Sequence, residues 1–401
     1  MRKLLLSLAL VGITAVAFGQ KKVVRSAEKN FKKGDLEVAY QEVNQAIQDP
    51  ETGQEPDTYL LKGKIETKMF EAGSAQEEAT VSTGRKALDT FQQTMEMVGN
   101  DKDSKIGKEI YKDFIPDMPE NLSGQAMYKL KSDAFVKAVD RYEEDDLEMA
   151  FEFFALAADA DRTDTTMLFN SGYLANMIGK NEESKKYLMP LLEIEDYNKL
   201  NAYYFLIQMA SQDDDKEEAY RLVSEAREIY PEDTGLQETE IQLLLQLDKM
   251  DDAMASIEEA LKTDPNNTGI RLRYGYLKEQ SGDVDGALAE YSRTVEIDPE
   301  FFDGNFYTGA LYLDKARKII SEVNNLPDDE WEKKADKMMT EADDIYKSAL
   351  PYFTKASELQ PDNTDILEIL FQVHTRLKNA DKAEEYNQKL IAKKGANWMD
   401  E

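Results

Sequence analysis

The chain has 401 residues, with 80 acidic and 49 basic side chains, one His and no Cys, which excludes disulfides, thiolate metal sites, cysteine nucleophiles and a lipid anchor on an N-terminal Cys. The net charge of −31 argues against nucleic acid and acidic membranes as partners. At 41% hydrophobic the chain can bury a core, so its 32% charged residues describe a wetted surface, not a disordered polymer.

The chain opens with Arg2 and Lys3 ahead of an apolar run from Leu4 to Phe18, and Ala17, Phe18 and Gly19 place small residues just before Gln20. This reads as a signal peptide over 1–19, cleaved before Gln20. Fifteen apolar residues interrupted by Ser7, Gly12 and Thr14 are short for a membrane span of about 20. The expectation is therefore a periplasmic or secreted chain with no lipid anchor and no integral membrane segment.

Beyond it, self-similarity organises the sequence. Ala39, Ala87, Ala150, Ser184, Ala219, Ala253, Ala287, Ala349 and Ala383 each stand four residues before a usually bulky side chain, and five of the eight steps between them are 34 residues within one. In chain order the expectation is two repeats over 20–98, the second with an insertion; a connecting loop with a short helix over 99–121; and repeats three to seven over 122–299. An eighth repeat over 300–361 carries a long helical hairpin, and 362–401 hold a ninth repeat with a C-terminal cap. The hairpin follows from the 40 residues between Gly309 and Ala349, where 12 are normal. Ala316, Ile319, Ile320 and Val323 make one stripe there, Trp331, Ala335, Met338, Ala342 and Ile345 an answering one, and Trp331 belongs near the tip.

The small residues Ala27, Gly63, Ala138, Gly172, Gly275 and Gly309 recur on first helices, the alanines above on second helices, and Pro231, Pro265, Pro299 and Pro361 at repeat ends. This pattern resembles the tetratricopeptide repeat family, with a small residue at position 8, Gly at 15, Ala at 20, a bulky residue at 24 and Pro at 32. The resemblance implies an all-α fold, a right-handed superhelical solenoid of about nine helix-turn-helix repeats. Where Ile207, Ile241 and Phe371 occupy position 8, looser or shifted packing is expected.

Catalytic chemistry has no foothold. His374 falls at a packing position of repeat nine and has no second His to work with. The acidic runs Glu143–Asp146 and Asp213–Asp215 fall at inter-helix turns. Ser281–Gly286 imitates a calcium loop, but its twelfth position is Ser292 where a bidentate Glu is required. The sequence reads as a non-enzyme with no cofactor and no metal.

What remains is a partner surface. In peptide-binding members of the family the groove is lined by first-helix positions 2, 5, 9 and 12. Carried over, these give Phe135, Tyr142, Phe169, Tyr173, Tyr204, Tyr276 and Phe306, with no Lys or Arg at those positions in repeats three to eight. A protein or peptide with apolar anchors and some positive charge is the partner these positions suit. The expected function is an exported protein-interaction scaffold; the alternative is a solute or glycan receptor using the aromatics as a platform. The oligomeric state is left open.

Overall fold

The computed structural model describes residues 21–400; the signal peptide expected over 1–19 lies outside them. Among the described residues all regular structure is helical: α1 (21–33), α2 (Leu36–Ile47), α3 (Pro56–Ala72), α4 (Glu78–Met97), α5 (Lys105–Ile110), α6 (Met127–Glu143), α7 (Leu147–Ala160), α8 (Thr165–Met177), α9 (Asn181–Leu192) and α10 (Leu200–Gln212). There follow α11 (Lys216–Ile229), α12 (Thr234–Gln246), α13 (Met250–Thr263), α14 (Thr268–Gln280), α15 (Val284–Ile297), α16 (Phe302–Asn324), α17 (Asp328–Leu359), α18 (Thr364–Arg376) and α19 (Ala380–Lys394). The chain divides into two compact units after Asp215, α1–α10 and α11–α19. It is the all-α helical-repeat solenoid that the sequence implies.

One device turns the chain inside the repeats. The residue seven after position 8 has positive φ in seven of them: Gly34, Asp145, Gly179, Asp214, Asp248, Gly282 and Lys378. The next residue's N–H reaches back five residues, as from Asp146 to Arg141, Lys180 to Ala175 and Asp283 to Lys278, closing a left-handed C-terminal cap over otherwise orphaned carbonyls. Asp tolerates this conformation better than most side chains. That explains why Asp145 and Asp214 sit inside acidic runs: they are turn residues.

A second device separates one repeat from the next. In Pro231-Glu-Asp233, Pro265-Asn-Asn267 and Pro361-Asp-Asn363 the ring stops the preceding helix. Two residues later the Asp or Asn side chain accepts the N–H of Leu236, Ile270 or Ile366 at the start of the following helix, an N-cap. Three residues therefore encode both a stop and a start.

The helices then pair by exchange of volume. A Cβ on Gly63 would lie 2.5 Å from the ring of Phe91, on Gly172 2.5 Å from Leu188 and on Gly309 2.9 Å from Phe353; Gly275 faces Tyr291 in the same way. The missing side chain at position 8 is the space that the bulky one at position 24 fills. Where position 8 is large, position 24 shrinks. Ile241 and Ile257 are both fully buried in one core cluster, yet α12 and α13 come together less closely than the equally long α14 and α15, the looser packing expected at repeat six. At repeat nine, Phe371 meets Trp398 edge to face at 5.2 Å, and the Trp398 indole donates to Asn387 at 3.1 Å.

The interruptions follow the same logic. Repeat two absorbs its extra residues as longer helices, 17 residues in α3 and 20 in α4. Between α4 and α6, Tyr111 packs on Tyr128 at 6.2 Å and Phe114 lies under the Lys129 ammonium at 5.1 Å, whereas Ile115 and Met118 stay exposed. In repeat eight, α16 and α17 run to 23 and 32 residues and pack as an antiparallel hairpin. Its seam is small, with Ala316, Val323, Ala335 and Ala342 buried. Trp331 stands near the turn but is 51% exposed, so it does not join the answering stripe assigned to it.

Candidate functional site

In the N-terminal unit the aromatic residues singled out on first helices fall into two classes. On α6, Phe135 is 37% exposed and meets Phe154 edge to face at 6.1 Å; Tyr142 is 47% exposed. On α8, Phe169 and Tyr173 are one turn apart, so their rings stack at 6.2 Å and 3°. Phe205 of α10 closes on both, at 6.1 and 5.6 Å. That pair is half-buried between first helices, and so is Tyr204, which precedes Phe205 on α10. Phe205 escapes the sequence reading because it occupies position 6, outside the groove positions; its signal is adjacency to Tyr204 in a first helix.

In the C-terminal unit, Tyr276 on α14 is 46% exposed. Phe306 on α16 is enclosed instead, with Phe302 at 6.1 Å, Tyr307 at 5.6 Å and Phe353 at 6.1 Å. A cavity of about 550 Å³ opens where the start of α15 meets the lengthened part of α16 and α17. Val284, Leu311, Ile319 and Ile345 give it apolar lining, and Glu279 and Glu322 are among the carboxylates around it. Glu279 accepts the Tyr291 hydroxyl at 2.9 Å. Burial and that carboxylate push the Tyr291 phenol well above its ordinary range, so it stays a neutral donor.

Buried polar groups elsewhere read as packing. His374 is buried and stacked on Tyr386 at 5.6 Å; burial pushes its imidazole below the ordinary range, so it is neutral at pH 7. Asp159 gathers Arg85, Arg162 and Tyr187. Glu66 is paired with Lys62 and accepts the Thr90 hydroxyl at 2.7 Å. Among the described residues no cluster of His, Asp and Glu could hold a metal ion, and no helix is long and apolar enough to cross a membrane.

Residues 244–303 match the family model described as tetratricopeptide repeat. No curated protein matches the chain by sequence. Among solved structures, YrrB, described as a TPR protein with an unusual peptide-binding site, is 21% identical over 54% of this chain and 96% of its own, with a TM-score of 0.38. A TPR-repeat protein from Bacteroides fragilis is 18% identical over 61% of this chain and 98% of its own, with a TM-score of 0.31. MamA from Desulfovibrio magneticus is 16% identical over 50% of this chain and 97% of its own, with a TM-score of 0.36. The family match thus places tetratricopeptide repeat sequence at 244–303, from the end of α12 to the start of α16.

Proposed function

We propose that this protein is a non-catalytic interaction scaffold, exported to the cell envelope, that holds a partner segment with apolar anchors and some positive charge. The observation that carries the reading is selective exposure. Phe135, Tyr142 and Tyr276 stay a third to a half exposed on first helices, whereas Phe169, Tyr173 and Phe306 are taken up by neighbouring rings. Exposed aromatics offer contact area at low entropic cost, and the net charge of −31 speeds encounter with cationic segments. The apolar cavity beside α15, where five carboxylates outnumber Lys315 and Lys318, suits the same chemistry.

The test replaces Phe135, Tyr142 and Tyr276 by Ala together and captures partners from an envelope extract with tagged protein. Because the three side chains are partly exposed, the melting temperature is expected to hold within a few degrees while a stoichiometric partner of the parent protein is lost. Retention of that partner, or a melting drop as large as a core truncation gives, excludes these residues as the binding surface. The intact mass of the captured chain is expected to begin at Gln20; a retained Met1 in a cytoplasmic fraction removes the envelope from the proposal.

A further inference from the structure

Helix α1 breaks the charge pattern of the whole chain. It holds Lys21, Lys22, Arg25, Lys29, Lys32 and Lys33 against one acidic residue, Glu28, a local +5 in a chain of −31. At about 100° per residue the six cations fall in a sector about 120° wide. The other side of the helix is the packed one: Ala27 and Phe31 join Ala39 and Val43 in a core cluster, and Ser26 and Asn30 donate to Glu42 of α2 at 2.7 and 2.8 Å. All six cations are exposed.

Two of them have intramolecular partners, Lys21 at 4.0 Å from Glu55 and Lys32 at 2.6 Å from Glu28. Lys22, Arg25, Lys29 and Lys33, spaced three, four and four residues apart, have no carboxylate partner among the described residues. The contrast lies next door. In the adjoining cavity of about 490 Å³, Lys64 is paired with Glu109, Lys68 with Glu71 and Glu120, and Lys129 with Glu71 and Asp133. A chain with 80 carboxylates leaves a line of four cations unanswered.

We propose that this face of α1 docks on an anionic membrane surface, its cations against lipid headgroup phosphates. The sector contains no aliphatic or aromatic residue, whereas protein interfaces are built on apolar and aromatic anchors and are depleted in Lys. Long flexible ammonium chains suit a diffuse sheet of phosphates, where each added cation strengthens partition by about fivefold. Screening over about 8–10 Å confines the interaction to charges near the surface. The net charge that argues against acidic membranes as partners is thus an average from which α1 departs.

The test is co-sedimentation of the chain from Gln20 onward, which retains every described helix, with vesicles of phosphatidylcholine alone or with about 30 mol% phosphatidylglycerol, at about 50 and 500 mM salt. Binding is expected on the phosphatidylglycerol vesicles at low salt and lost at high salt. The variant Lys22→Gln, Arg25→Gln, Lys29→Gln, Lys33→Gln is expected to weaken it on the order of a hundredfold or more with an unchanged melting curve. Removing the same charge through Lys86→Gln, Lys262→Gln, Lys333→Gln and Lys337→Gln is expected to change it little. Absence of phosphatidylglycerol-dependent binding, or equal binding by the two variants, overturns the proposal. So does α1-dependent binding of duplex DNA or an acidic protein without vesicle binding.

Discussion

Replacing Asp159 by Ala is expected to destabilise the N-terminal unit by about 2–3 kcal/mol, the range for losing charge-assisted hydrogen bonds at a largely buried carboxylate. Asp159 lies on α7 with its side chain 9% exposed. It accepts from Arg85 of α4 at 2.6 Å, from Arg162 at 2.9 Å and from the Tyr187 hydroxyl of α9 at 3.1 Å, so one carboxylate joins repeats two, three and four. Burial alone would raise its pKa, but the Arg85 guanidinium, Lys186 and the Tyr187 hydroxyl outweigh it and hold the group below the ordinary carboxylate range.

The sign of the pH effect follows. A carboxyl group with a lower pKa folded than unfolded contributes fully above its unfolded value of about 3.9 and loses that contribution as pH falls through the folded value. The gap between the parent protein and Asp159→Asn in urea unfolding, followed by circular dichroism, should therefore be open at pH 7 and narrow toward pH 3. An equal gap at both would mean that the acceptor lost to the amide matters and the charge does not.

The repeat pattern was legible because each of its positions has a backbone or packing reason that recurs every 34 residues. Pro231, Pro265 and Pro361 stop helices where an N-capping Asp or Asn follows two residues on, whereas Pro190 and Pro351 lie inside α9 and α17; the acidic turn runs were readable as turns before the φ of Asp145 and Asp214 gave the cause. Less local features were not. Whether an aromatic on a first helix faces solvent or a neighbour depends on what the next first helix presents: Phe205 takes up Phe169 and Tyr173, whereas Tyr276 remains exposed. At repeat six the large Ile241 at position 8 was enough to expect the wider approach that α12 and α13 show. The basic face of α1 stayed hidden for another reason, since net charge sums over the whole chain and says nothing of how one helix sorts its lysines.

The exchange of volume between positions 8 and 24 can be measured directly. Gly63→Ala improves helix propensity by about 1 kcal/mol, and on that ground alone it would stabilise α3. The structure dictates the opposite sign, because the new Cβ would lie 2.5 Å from the ring of Phe91, which is fully buried. The expected result is a loss of about 2–3 kcal/mol, within the range for overpacked cores. Phe91→Leu alone removes ring volume and is expected to cost about 1–2 kcal/mol through the cavity it leaves. In the double variant the methyl group enters that cavity, so the combined loss should fall short of the sum by about 1–2 kcal/mol. Repeat six already shows such a compensated state, with Ile241 and Ile257 sharing one buried cluster. Additive losses, within about 0.5 kcal/mol, would show that α3 and α4 relax independently around the two sites, and pairing by complementary volume would then have to be abandoned as the rule that holds each repeat together.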